Sequence, residues 1–264
     1  MNLLLLEPDE LGQPRAGGAI VAEVELAADD RRARHLREVL RARPGQTVRA
    51  GVVRGATGRA EVLADEGRMR LAVTLDGAAG TRPPVELVLA VPRPKALPRA
   101  LETAASLGVA RIDLVNAWRV DRSYFASPRL AAGELAASLR LGCEQGATTW
   151  VPDIELHPLL MPFLETAAAR WPAAAHRIIA HPRAGAPIES AVPPGARSPI
   201  LIAIGPEGGW IDRELDSFAA LDFRAVTLGP AVLRVESAVA AVLAQVQLLR
   251  RLVASTPPQR LQNR

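Results

Sequence analysis

One cysteine in 264 residues, Cys143, leaves no partner for an intramolecular disulfide and no set of thiolates for a metal cluster. That usage fits a reducing compartment, and a cytoplasmic location is expected. Aromatic residues make up 3% of the chain, so its core must be built from Leu, Val, Ile and Ala. Lysine is nearly missing: Lys95 stands alone, and arginine carries the positive charge. No uncharged run approaches the roughly 18 apolar residues that a membrane span needs. The opening Met1–Leu6 run is short, lacks a basic start and meets Glu7 at once, unlike a secretory signal. The expectation is a soluble protein with no membrane partner. His35, His157, His176 and His181 show no ligand spacing, and His176 and His181 fall on opposite faces of a strand, so no metal is expected.

What is present is enough for an ordered core, with 49% hydrophobic and 23% charged residues. The net charge of +4 says little, but its distribution says more. Residues 31–59 carry arginine at 31, 32, 34, 37, 41, 43, 49, 54 and 59 against a single acid, Glu38. Phosphate neutralisation dominates non-specific affinity for nucleic acids, so this cluster is the expected footprint of a polyanion. A solvated arginine-rich face is the plainer alternative.

The pattern changes once along the chain. Residues 1–76 read as short strands (20–26, 46–53, 58–63 and 69–75) around one basic helix, which Asp29-Asp30 cap and which runs to Leu40. Pro44-Gly45 then forces a turn. This reads as a small β-barrel domain. Residues 77–84, rich in Gly and Pro, read as a linker. Beyond them, strands at 85–91, 111–117, 176–181, 199–204 and 224–228 alternate with helices. Those helices are expected to end at Leu107 with Gly108 beyond it, and to cover about 128–141, 158–170, 212–220 and 235–252. Alternation of this kind predicts an α/β domain over 85–252 with a mainly parallel sheet, followed by a polar tail at 253–264. The apolar positions Val239, Val242, Leu243, Val246 and Leu249 make the last helix core or dimer interface. Cys143 reads as a small buried hydrophobe.

Open parallel sheets bind ligands beyond the carboxyl ends of their strands. Two strand ends here are unusual. Leu201-Ile202-Ala203-Ile204 runs directly into Gly205-Pro206-Glu207-Gly208-Gly209, which is neither a P-loop nor a dinucleotide fingerprint. Glycines there permit close backbone approach to a ligand, or simply a turn into the following helix. The second is Thr227-Leu228-Gly229-Pro230-Ala231-Val232-Leu233-Arg234-Val235-Glu236-Ser237-Ala238. In it an Arg and a Glu meet where a long helix begins, which could equally be a surface pair complementing the helix dipole.

Taken together, the two loops resemble the SPOUT superfamily of knotted methyltransferases. Within it they resemble the RsmE family, which methylates uridine N3 in small-subunit ribosomal RNA. Lys95 and the helix ending Ser106-Leu107-Gly108-Val109 are similar to that family's first catalytic helix, which usually ends ELGV. Arg122-Ser123-Tyr124 and Glu144-Gln145 also match family positions. The segment 34–41 with Pro44-Gly45 is similar to the helix of the family's PUA-like N-terminal domain. Three residues depart from the pattern: Ser106, Ser237 in place of Thr, and Thr148 where an arginine is common.

The resemblance implies a parallel sheet whose C-terminal segment threads a trefoil knot, a PUA-like β-barrel before it, and a homodimer with its active sites near the interface. It also implies S-adenosylmethionine as cofactor. Backbone groups of Gly205, Gly208, Gly209, Leu228 and Leu233 would hold it, with Ile204, Glu207, Gly229, Arg234 and Ala238 alongside and His181 at a neighbouring strand end. Arg31, Arg34, Arg37, Arg41 and Arg54, with Lys95 and Arg122, would contact ribosomal RNA. Uridine N3 carries a weakly acidic proton that must leave as the methyl arrives, so the site needs a proton acceptor or a stabiliser of the uridinate anion. Arg234 suits the second task, and Glu207 and Glu236 are both candidates for a base or for orienting Arg234. Ribose 2′-O methylation, a non-enzymatic RNA-binding or assembly role, and an unrelated small-molecule enzyme are the competing readings, in that order.

Overall fold

Strand formation near the N-terminus follows from residue alternation. In Met69–Ala79 the side chains of Met69, Leu71, Val73 and Leu75 are buried, while Arg70 is exposed and Ala72 and Thr74 lie between. In the computed structural model, which describes residues 1–11 and 20–252, this strand is β5 of a five-stranded sheet. The others are β1 (Leu4–Leu6), β2 (Ile20–Leu26), β3 (Thr47–Val52) and β4 (Ala56–Asp65), in the order β1-β3-β4-β5-β2. Antiparallel pairs join β3 to β4, β4 to β5 and β5 to β2, and β1 lies parallel to β3 with Leu4 opposite Ala50. The Met1–Leu6 run is therefore structural, since Leu3, Leu4, Leu5 and Leu6 are all buried. Register shifts along β4 let the sheet curl around a core of Leu4, Leu6, Leu36, Val62, Leu71 and their neighbours.

The basic helix begins as expected. The Asp30 carboxylate accepts the Arg32 amide at 2.7 Å, satisfying a free donor of the first turn of α1 (Arg31–Arg34). Its continuation, His35–Val39, widens into a π turn, in which the Leu40 amide reaches the His35 carbonyl at 3.1 Å.

The chain divides into two compact units. The first holds 1–85, 93–112 and 122–155. It thus takes in α2 (Leu97–Ser106), the short α3 (Arg122–Phe125) and α4 (Ala132–Gly146), a grouping that differs from a cut at 77–84. The reason is packing. Glu144 of α4 is 1% exposed and receives both Arg31 guanidinium nitrogens, at 2.6 and 2.8 Å, while its carbonyl accepts the amides of Asn2 and Leu3. Strand β5 also runs to Ala79, three residues into the expected linker. The expected tail at 253–264 lies outside the described residues.

The second unit comprises 86–92, 113–121 and the chain from Leu156. Its α/β sheet has the order β11-β9-β10-β6-β7-β8. The strands are β6 (Val85–Ala90), β7 (Arg111–Val115), β8 (Asp153–His157), β9 (His176–Ala180), β10 (Ile200–Ile204) and β11 (Arg224–Val226). Strand β10 is buried at every residue, as expected of a strand covered on both faces. Helices α5 (Leu160–Ala167), α6 (Asp212–Ala219) and α7 (Val235–Arg251) complete the unit. The few aromatic residues are concentrated here: edge-to-face contacts join Phe163 to Trp171, Trp171 to Phe223, Phe223 to Phe218 and Phe218 to Trp210. Val235, Val239, Val242, Leu243, Val246 and Leu249 form the buried stripe of α7. No helix among the described residues is long and apolar enough to cross a membrane.

Candidate functional site

The register of the parallel strands assembles one edge. Ala180 lies opposite Ile204 on β10 and opposite Val226 on β11. The next residues, His181, Gly205 and Thr227, therefore leave the sheet side by side at its carboxyl end. This edge is where open α/β sheets bind ligands, and it joins the glycine-rich loop 205–209 to the loop 227–234.

Each loop is held by identifiable contacts. The Gly209 amide donates to the Pro206 carbonyl at 2.8 Å and Gly209 takes φ +72°, a conformation that side chains resist. The Trp210 ring packs where a Cβ on Gly205 would sit, 3.0 Å from its Nε1. Trp210 is 3% exposed, and its indole N–H has no hydrogen-bond partner among the described residues. Gly229 takes φ +139° and its amide meets the Thr227 hydroxyl, while Gln245 of α7 donates to the Leu228 carbonyl at 2.9 Å. The amides of Leu228 and of Ala231, Val232, Leu233 and Arg234 make no hydrogen bond among the described residues, and residues 231–234 are all exposed. They form a run of free donors.

Arg234 is the residue immediately before α7, exposed and without an ion pair among the described residues. Its carbonyl accepts the Ala238 amide at 2.8 Å, so the backbone is fixed while the guanidinium projects freely. Glu236 sits half-buried in the first turn of α7, and Glu207 is exposed at the tip of its loop. Burial, with help from the Arg183 charge and against Asp212, holds the His181 imidazole below its ordinary pKa, so it is neutral at neutral pH. Its Nδ1 accepts the Arg183 amide at 3.3 Å.

The residues expected to meet RNA all lie in the first unit, but they are not equivalent. Arg31 pairs with Glu144, Arg37 with Asp65 at 2.6 Å, and Arg54 with Asp153 at 2.5 Å while stacking over the Trp150 ring. Arg32 and Arg59 of the same cluster also face acids, Glu10 and Asp30 for the first and Asp76 for the second. Arg34, Arg41, Lys95 and Arg122 are exposed and make no ion pair among the described residues. The charge excess of residues 31–59 is therefore partly offset by acids far away in sequence, which a local count cannot register. Cys143 is buried, its S–H faces the Trp150 carbonyl, and desolvation pushes its thiol up to about 12, so it is no nucleophile.

Sequence reasoning missed Glu214 and Trp118. Glu214, 2% exposed, accepts the Ile211 amide at 2.9 Å and the Trp118 amide at 2.8 Å. One carboxylate thus fixes both the start of α6 and the loop after β7. Arg119 of that loop donates to the Gly208 carbonyl at 2.7 Å. A Glu early in a helix is ordinarily a complement to the helix dipole, and nothing local marks its second partner.

Residues 81–247 match the family model of an RNA methyltransferase domain. The chain is 31% identical over 251 residues to the ribosomal RNA small subunit methyltransferase E of Treponema pallidum, covering 93% of this chain and 90% of that one. The protein of the same name from Mycobacterium bovis is 29% identical over 224 residues, with 81% and 83% covered. Among solved structures, the ribosomal RNA small subunit methyltransferase E from Neisseria gonorrhoeae bound to S-adenosyl methionine superposes with a TM-score of 0.71. That match has 21% identity and covers 94% of this chain and 98% of that one. With its sheet edge, its two loops and its relatives in agreement, the chain belongs to the ribosomal RNA small subunit methyltransferase E (RsmE) family of RNA methyltransferases.

Proposed function

We propose that the protein transfers a methyl group from S-adenosylmethionine to N3 of a uridine in small-subunit ribosomal RNA, acting as a homodimer in the cytoplasm. The observation that carries this reading is the alignment of His181, Gly205 and Thr227 at one sheet edge. That edge sets the 205–209 and 228–234 loops together in a chain of this family.

The loop residues suit the cofactor. A polar nucleoside with an amino-acid tail needs backbone donors and close approach, and residues 231–234 offer free amides beside glycines at positive φ. The Trp210 indole N–H is a further donor without an internal partner among the described residues. Ile204, Gly205, Glu207, Gly208, Gly209, Leu228, Gly229, Leu233, Arg234, Ala238 and His181 would line the site. A neutral His181 places no second positive charge there. Bound S-adenosylmethionine supplies an electrophilic methyl on a sulfonium. The protein's part is positioning, together with handling the N3 proton. Arg234, a planar donor fork on a fixed backbone, stabilises the developing uridinate oxygen, and Glu207 or Glu236 accepts the proton or orients Arg234.

The segment from β10 through α7 would thread the trefoil knot of a SPOUT domain over 85–252. The curled five-stranded sheet of 1–76 would serve as a PUA-like barrel gripping RNA. Arg34, Arg41, Arg43 and Arg49 of the basic cluster, with Lys95 and Arg122 outside it, are exposed and make no ion pair among the described residues, whereas Arg31, Arg37 and Arg54 stand in ion pairs. Replacing Arg34 and Arg41 by alanine is expected to lower the salt dependence of RNA binding by about one unit of log K against log salt per residue. Filter binding between low and moderate salt measures this. An unchanged slope would place the phosphates elsewhere.

The function itself is tested by methyl transfer from labelled S-adenosylmethionine to small ribosomal subunits lacking the modification, followed by nucleoside mass spectrometry. The expected product is 3-methyluridine. Label in a 2′-O-methyl nucleoside would keep the fold and overturn the target atom, and S-adenosylmethionine binding without transfer would point to another RNA.

A further inference from the structure

Trp118 is 79% exposed, unlike Trp171 and Trp210, which are at least 95% buried. It does not hang from a loose loop. Its flanking residues Ala117 and Val120 are buried, its own amide is held by the buried Glu214 carboxylate, and Arg119 next to it is tied to the Gly208 carbonyl. A Cβ on Gly208 would lie 3.0 Å from the Arg119 Cβ, so this loop and the glycine-rich loop are in close contact. The result is a large aromatic face presented to solvent on a fixed backbone, one residue from a contact with the candidate cofactor loop.

We propose that Trp118 is a stacking platform for a base of the RNA strand being methylated. This rests on the functional reading above. The N3 atom lies on the Watson–Crick edge of uracil, so a paired uridine cannot be its substrate, and the reacting strand must enter unpaired. An unpaired base has lost stacking partners, and enzymes acting on bases replace them with aromatic side chains. A tryptophan face is tolerant of base identity and contributes about 1–3 kcal/mol per stacked base, the equivalent of roughly 5- to 150-fold in affinity. A second copy of the chain is the other possible occupant. Nucleic acid is favoured because Arg119, the next residue, touches the loop that would hold the cofactor of an RNA methyltransferase.

The test compares Trp118→Ala and Trp118→Phe in the full-length protein. The alanine variant is expected to raise KM for RNA roughly 5- to 150-fold, with kcat changed much less. S-adenosylmethionine affinity by calorimetry and sedimentation behaviour should stay unchanged, and phenylalanine should restore most of the loss. Short single-stranded RNA should quench tryptophan fluorescence in the wild type and lose that quenching in Trp118→Phe. Quenching that survives in Trp118→Phe, an unchanged KM in Trp118→Ala, or a shift of Trp118→Ala to a smaller sedimenting species would each overturn the proposal, the last assigning the indole to a subunit contact. If the wild type methylates no RNA, the functional reading fails, and the fluorescence comparison still decides whether Trp118 stacks on a base.

Discussion

An Arg234→Ala variant is expected to bind S-adenosylmethionine with near-normal affinity and to lose about 100- to 1,000-fold in kcat, the scale on which removal of one charge-stabilising donor acts. The prediction comes from the asymmetry of the residue. Its backbone is fixed as the N-terminal boundary of α7, its carbonyl engaged by Ala238, while its guanidinium has no ion pair among the described residues. A surface arginine serving only stability would be expected to find an acid, and many in this chain do. Removing the side chain should therefore leave the loop standing and delete a positive charge where a negative one develops. Arg234→Lys should recover only part of the rate, because an ammonium keeps the charge but not the planar fork. Single-turnover kinetics with saturating cofactor, beside calorimetry of cofactor binding, separate the two effects. Full turnover with intact cofactor affinity would remove Arg234 from the chemistry.

How far the sequence carried the fold depended on the distance over which each signal acts. The alternation in β2, the Asp30 cap and the α7 stripe are local signals and appear within one or two residues of their expected places, and β5 starts where expected but runs four residues further, to Ala79. Strand β8, Asp153–His157, was missed because Ile154 and Leu156 alternate with acids over only five residues. The π turn at His35–Val39 has the same apolar spacing as an α-helix and cannot be told from one. The grouping of α2 and α4 with the N-terminal residues depends on Glu144 meeting Arg31, 113 residues away.

The candidate site was legible for a related reason. Its loops immediately follow their strands, and parallel register delivers them to one edge once the strand order is β11-β9-β10. What stayed hidden was support from a distance. Glu214 acts on Trp118 across 96 residues, and the arginines of 31–59 are partly neutralised by Glu10, Asp65, Asp76, Glu144 and Asp153. Local charge counts therefore overstate the surface available to RNA, and free cations rather than all cations should govern its salt response.

The largest loss of stability is expected in the first unit, at a position outside both loops. Gly142 and Gly146 are one turn apart on α4 and face α2. A Cβ on Gly142 would lie 2.3 Å from the Glu102 carbonyl oxygen and 2.8 Å from the Glu102 Cα, and one on Gly146 would lie 2.4 Å from the Ser106 carbonyl oxygen. These obstacles are backbone, so no rotamer change can relieve them, and α4 would have to move away from α2. Overpacking a core ordinarily costs about 1–3 kcal/mol, and a clash with backbone belongs at or above the top of that range. Gly142→Leu should therefore lower stability by about 3 kcal/mol or more, whereas glycine-to-alanine on an exposed helical face would gain up to about 1 kcal/mol from helix propensity. Gly133, near the start of α4 with nothing within 4 Å of an added Cβ, supplies that control in Gly133→Ala. Urea denaturation of the three proteins checks both signs. The displacement would also reach Glu144, between the two glycines, and with it the Arg31 pair and the amides of Asn2 and Leu3. A mild Gly142→Leu phenotype would mean that the two helices can separate without cost, contrary to the close backbone contact between them.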